Sequence, residues 1–207
     1  MTAEDKQAAF MSALVTEHFV LQSAAGVTVS EASGRASLYL TALSSSLIAM
    51  GFAAQAPGAF APFAAVLIPT IVVMGMFTVV RLIDTGVQNL TFLAGIARIR
   101  GYYRTIRPED AAYFTPWGAP TNDEATQAMA AIGVKFGPLV GFSTTASMIA
   151  TINSIVTGAG VALACVWAMG RGGLLVAVIL GLATLVLSMA VFYRYQNRRF
   201  ERFRHPA

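Results

Sequence analysis

Four stretches of the chain are apolar on every side of a helical wheel. They run over Ser37–Gln55, Phe60–Leu82, Leu139–Leu163 and Leu174–Tyr193. A bilayer core of about 30 Å needs about 20 such residues in a helix. A surface helix of a soluble bundle would instead carry a charged stripe opposite its apolar one. The pattern therefore predicts four membrane-spanning helices. Ala56-Pro57-Gly58-Ala59 joins the first two and Met169-Gly170-Arg171-Gly172-Gly173 the last two. Links this short and Gly-rich fold consecutive helices back as antiparallel hairpins.

Outside the spans the period remains helical. Thr2-Ala3-Glu4-Asp5 has the form of a capping box, and Phe10, Met11, Leu14, Val15, His18 and Phe19 follow at three- and four-residue spacing. This predicts an amphipathic helix over 1–26, ended by Gly26. The second span has no stop at the membrane edge. It continues to Pro108 with two apolar stripes, Ile83, Val87, Leu90, Ala94, Ala97 and Phe92, Ile96, Ile99, Tyr103, Ile106. Two stripes on one helix mean neighbours on two sides. Pro108–Pro120 reads as a loop in which Tyr113, Phe114 and Trp117 touch the interface or plug a gap. Thr121 then opens a further helix that stops at Gly137-Pro138. The expected fold class is all-α integral membrane: four transmembrane helices in two hairpins with long cytoplasmic helical extensions. One membrane domain is divided as 1–26, 27–107, 108–136 and 137–207.

Composition sharpens this. Of 207 residues, 56% are hydrophobic and 12% charged, against about 25% charged in a soluble domain. That weighs against a soluble enzyme, disorder and a nucleic-acid partner. Among the 14 lysines and arginines, Arg171 alone lies in the links between paired spans. By the positive-inside rule both termini and the long middle connection are cytoplasmic, in a multi-pass protein of the cell inner (plasma) membrane.

Candidate chemistry is sparse. The one cysteine, Cys165, permits no internal disulfide, and the two histidines, His18 and His205, lie outside the spans. No ionisable group sits near the middle of a span, where one would mark a proton relay or a catalytic site. No catalytic, cofactor or metal residues are assigned, and the chain is read as a non-enzyme without cofactors. The spans do carry small polar stripes. Ser37, Thr41, Ser45, Ala49 and Ala53 line one face of the first span. Thr144, Ser147, Thr151, Ser154 and Gly158 line the third, with Asn153 beside them. Small residues let backbones approach, and hydroxyls bond across helices or back to a carbonyl. These groups either glue a central pair of helices or line a polar path. Arg81 and Asp84, three apart at the membrane edge, read as a helix salt bridge with a snorkelling arginine or as a gating pair. Arg194, Arg198, Arg199 and Arg202 form a basic cluster suited to topology or to anionic lipid. Phe92, Ile96, Ile99 and Tyr103 are assigned to the interface of a homo-oligomer.

The runs VTVSEASGRASLYLTALSSSLIAMGF, VVRLIDTGVQNLTFLAGIARIRGYYR, SMIATINSIVTGAGVAL and RYQNRRF resemble a group of four-helix integral membrane proteins of actinobacteria. The resemblance implies the fold and no activity. The plan of helix, hairpin and helix is also similar to SLATT-type membrane effectors, which have two spans. The leading expectation is an oligomeric membrane protein forming a passive channel or pore. The alternative is a scaffold or signalling protein whose cytoplasmic helices bind a protein partner.

Overall fold

A computed structural model describes residues 2–114, 123–133 and 144–204. Every element there is helical, and four helices are long and apolar enough to cross a membrane. They are α1 (Ala3–Ala53), α2 (Phe60–Ile106), α4 (Thr145–Met169) and α5 (Leu174–Arg204); α3 (Glu124–Ala131) is short.

The sequence sets most of the ends. Thr2 and Asp5 close a reciprocal capping box: the Thr2 N–H donates to Asp5 Oδ2 at 2.7 Å and the Asp5 N–H to Thr2 Oγ1 at 3.1 Å. Asp therefore serves where Glu or Gln is usual. These bonds to the charged carboxylate, the Thr2 backbone N–H foremost, hold the pKa of Asp5 below the ordinary range. No break occurs at Gly26. α1 runs through it for 51 residues, because one glycine costs a helix only ~1 kcal/mol and packing overrides it. α2 likewise passes through Pro69 and stops at Ile106, two residues before Pro108, as the backbone restriction ahead of proline requires. Pro108–Phe114 is a 3₁₀ turn, not an open loop.

The bounds of α3 and α4 differ from the sequence reading. Asp123, not Thr121, caps α3, accepting from the Thr126 N–H at 2.9 Å, and the helix stops at Ala131 instead of Gly137. The fourth apolar helix begins where expected. The third is capped by Thr144, whose hydroxyl accepts from the Ser147 N–H, so α4 begins at Thr145 and extends to Met169. Leu139 to Ser143 lie outside the described residues, as do Thr121, Trp117, Lys135 and His205. A capping hydroxyl won over hydropathy because the first four N–H groups of a helix need acceptors.

Contacts group the chain into two compact units. The first holds 1–31, 84–140 and 200–207; the second holds 32–83 and 141–199. In the first, Leu90, Ala128 and Met129 form a core flanked by Leu93, Ala94, Phe200 and Phe203. Phe10 meets Tyr102 edge to face at 5.7 Å and the Thr28 hydroxyl lies 3.2 Å from Asn89 Oδ1, so contacts run in opposite order along α1 and α2. In the second, Ala36, Tyr39, Ile71, Val79, Leu82, Ile83, Ala146, Ile149 and Ala150 pack together, drawing α1, α2 and α4 into one core. Phe60 and Trp167 meet edge to face at 6.2 Å.

Candidate functional site

The polar residues of α4 converge inside the second unit. Asn153 is 1% exposed, and its Oδ1 accepts from the Tyr39 hydroxyl of α1 at 3.2 Å. Its carboxamide occupies the space where Gly75 of α2 lacks a side chain. A Cβ there would collide with Asn153 Oδ1 and stand 2.9 Å from Tyr39 Cε2. Three helices thus meet at one neutral hydrogen bond, and only glycine admits the amide.

At the start of α4 a second cluster forms. Ser147 Oγ donates to Gln196 Oε1 of α5 at 3.1 Å, and Gln196 Nε2 donates to Thr144 Oγ1 at 3.3 Å. Ser147 and Gln196 are both buried. Further along, Ser154 Oγ donates to the Ala150 carbonyl at 2.8 Å and lies 3.1 Å from Ser188 Oγ of α5. Thr151 and Thr157 turn their hydroxyls back to the Ser147 and Asn153 carbonyls. Gly158 and Gly181 sit one against the other. A Cβ on Gly158 would stand 2.6 Å from the Gly181 carbonyl oxygen, so α4 and α5 touch backbone to backbone, as small residues in facing helices allow.

The candidate stripe Thr144, Ser147, Thr151, Asn153 and Ser154 is therefore engaged within the protomer. Each hydroxyl or amide oxygen is occupied by a helix carbonyl, a cap or a neighbouring helix. The small stripe of α1 behaves differently. Ser37, Thr41 and Ser45 are exposed, as are Ser33 and Ser44, while Ala49 and Ala53 are half-buried. The α4 stripe thus lies within the second unit, and the hydroxyls of the α1 stripe lie on its exposed face. In a bundle of four, α1 offers Tyr39 and Ala36 to the core, and its hydroxyl face lies on the opposite side of the wheel.

Arg81 and Asp84 are both half-buried along α2. Arg194, Arg198 and Arg202 are exposed on α5 and Arg199 is half-buried. The four residues assigned to an oligomer interface are buried or half-buried within the single chain. Ile96 is 4% and Ile99 6% exposed within the single chain, so the reason for giving them to a second subunit, an uncovered apolar stripe, does not apply. Phe92 is half-buried, and Tyr103 packs on Phe114 with ring centroids 5.1 Å apart. The amphipathic α1 segment turns Met11, Leu14 and His18 partly inward and leaves Phe10, Val15 and Phe19 exposed. His18 Nδ1 is buried with no hydrogen-bond partner among the described residues.

Sequence reading missed Tyr39, Gly75 and Gln196. Gly75 carried a signal, being the one residue without a side chain in the bulky run IVVMGMF. Gln196 looked like part of a polar tail. It also missed the pairing of Arg98 with Glu124 of α3 in the first unit, at 2.8 Å (Nε to Oε1) and 2.7 Å (Nη2 to Oε2). The hydrogen bond, then the charge, of Glu124 raises the pKa of Arg98.

Among the described residues no three His, Cys, Asp or Glu side chains stand close enough to hold a metal ion. The clusters in the second unit are neutral hydroxyls and amides. They can orient helices, but they offer no group that would exchange a proton near neutral pH. No family model, no curated protein and no solved structure matches the chain. Among the described residues every element is helical, and four helices are long and apolar enough to span a membrane.

Proposed function

We propose that the chain is a subunit of a homo-oligomeric, multi-pass protein of the inner (plasma) membrane. In this reading it folds as two hairpins with both termini cytoplasmic and acts as a passive channel without chemistry of its own. One observation carries the reading: the open hydroxyl face of α1. Leu38, Leu47, Ile48 and Phe52 of α1 and Leu174, Leu175, Ile179, Leu182, Val186 and Leu187 of α5 are exposed, as lipid-facing residues would be. Ser37, Thr41 and Ser45 interrupt that apolar exterior with small polar groups at four-residue spacing. Lipid gains nothing from such a face, whereas a second helix packs closely on it. Because the α4 stripe is spent inside the protomer, a polar path between subunits would be lined by α1.

The alternative, a membrane scaffold that binds a cytoplasmic protein, draws on Phe10, Val15, Phe19 and Val20, exposed in the first unit. One experiment separates the readings. Cys165→Ala chains carrying Ser37→Cys, Thr41→Cys or Ser45→Cys are reconstituted in liposomes, oxidised, and assayed for ion flux. Cross-linked species together with flux are expected. Cross-linking without flux would favour the scaffold, and a monomer with neither would remove both oligomer and channel.

A further inference from the structure

The first unit contains an open groove of about 420 Å³ lined by Ala97, Arg98, Gly101, Arg104 and Thr105 of α2 and by Glu124 of α3. The α2 residues stand at positions i, i+1, i+4, i+7 and i+8, one face of the helix. The volume is in the range of pockets that hold small ligands.

The charges in it are unevenly satisfied. Arg98 is clamped by both oxygens of Glu124 through Nε and Nη2. That fork cancels one positive charge, orients the guanidinium plane and, among the described residues, leaves Nη1 without a carboxylate. Arg107, just past the end of α2, is spent on Glu109 at 3.5 Å and Asp110 at 3.3 Å. Arg104 differs from both. It is half-buried, and among the described residues no carboxylate or hydrogen-bond acceptor engages it. Its Nη2 lies over Gly101, 3.8 Å from where a Cβ would stand. Thr105 Oγ1 donates its proton to the Tyr102 carbonyl at 2.7 Å and so presents only lone pairs. Among the described residues the groove therefore carries one uncompensated positive charge on a planar, five-donor group, beside a second guanidinium paired with Glu124. This is the donor pattern that phosphate oxygens accept in paired, charge-assisted bonds.

We propose that this groove binds a phosphate group, with Arg104 as the principal donor and the Arg98–Glu124 pair as its fixed wall. The phosphate could be carried by a small soluble molecule or by a lipid headgroup, and the two sources are distinguished by experiment. The full chain in detergent is titrated with inorganic phosphate and followed by phosphorus NMR line broadening. In parallel, nanodiscs with and without phosphatidylglycerol are compared for lipid retained on the purified protein. Arg104→Gln should weaken binding about tenfold or more, the effect of losing a charge-assisted pair. Arg104→Lys should retain part of it, and Arg107→Gln should leave it unchanged. A measurement without substitution guards against misfolding: phosphate should slow modification of Arg104 by phenylglyoxal and leave that of Arg107 unaffected. Phosphate binding lost in Arg104→Gln identifies a soluble ligand. Phosphatidylglycerol retention lost in the same variant, without phosphate binding, identifies a headgroup. Absence of both, or binding that Arg104→Gln does not change, overturns the site.

Discussion

At the scale of single residues, the junction of Tyr39, Gly75 and Asn153 shows how one missing side chain specifies a contact. An amide within an apolar bundle must find a partner, since leaving a buried polar group unsatisfied costs several kcal/mol in hydrocarbon. Tyr39 supplies the donor and Gly75 the room. Gly75→Ala should therefore destabilise the second unit by about 1–3 kcal/mol, the usual cost of overpacking. Adding Asn153→Ala should recover part of that loss, because the atom that collides is the amide's own. Thermal unfolding of both variants in mild detergent measures the effect. Equal melting for Gly75→Ala and the parent chain would show that the amide does not occupy that space. Asn153 was visible in the sequence and its partners Tyr39 and Gly75 were not, because helical period gives the face of one helix and never the rotation of the next.

At the scale of elements, boundaries were decided by capping groups wherever hydropathy was indifferent. The third apolar stretch reads as a span from Leu139, yet α4 starts where Thr144 offers an acceptor to the Ser147 N–H. α3 depends on the same device. Asp123 accepts from the side chain and the backbone N–H of Thr126, and these two bonds, in that order of weight, lower its pKa. A carboxylate whose folded pKa is depressed stabilises the folded state above its unfolded value of about 3.9. That contribution is lost as pH falls through the depressed value. α3 should thus be fully capped at neutral pH and loosen only in strong acid. Asp123→Ala should cost about 1 kcal/mol at neutral pH and nothing once the aspartate of the parent chain is protonated. Hydrogen exchange of the Thr126 amide across that range checks it; a loss already complete at pH 5 would contradict the cap. The capping box of α1 was legible from Thr2 to Asp5, whereas α1 continuing past Gly26 was not. A glycine's local cost is small, and contacts such as Thr28 with Asn89, 61 positions away, outweigh it.

At the scale of the molecule, α1 and α2, at 51 and 47 residues, span roughly 77 and 71 Å at 1.5 Å per residue. That is more than twice the bilayer core. If α1 and α2 span the bilayer once each, the surplus requires other surroundings, and the grouping of contacts is consistent with this. Both ends of the chain and the middle connection fall in the first unit, and the four most apolar stretches fall in the second. The topology proposed above, with both termini on one side, is open to a direct test. A reporter fused after Ala207 should be active only in the cytoplasm. Activity outside would reverse the orientation that the basic residues predict.

The sequence by itself determined the helical class, the four apolar helices and where most of them begin and end. Those depend on periodicity, apolar length and capping residues, all local along the chain. The tertiary structure alone decided which side of each helix faces a neighbour. It enclosed Ser147, Asn153 and Ser154 and left Ser37, Thr41 and Ser45 open. It buried Ile96 and Ile99 and set Glu124 against Arg98 while leaving Arg104 in an open groove. In helices apolar on every side no polar stripe marks the outside, so the choice of face falls to small differences in shape. A glycine opposite an amide, or one glycine against another, acts only when two helices are already in contact.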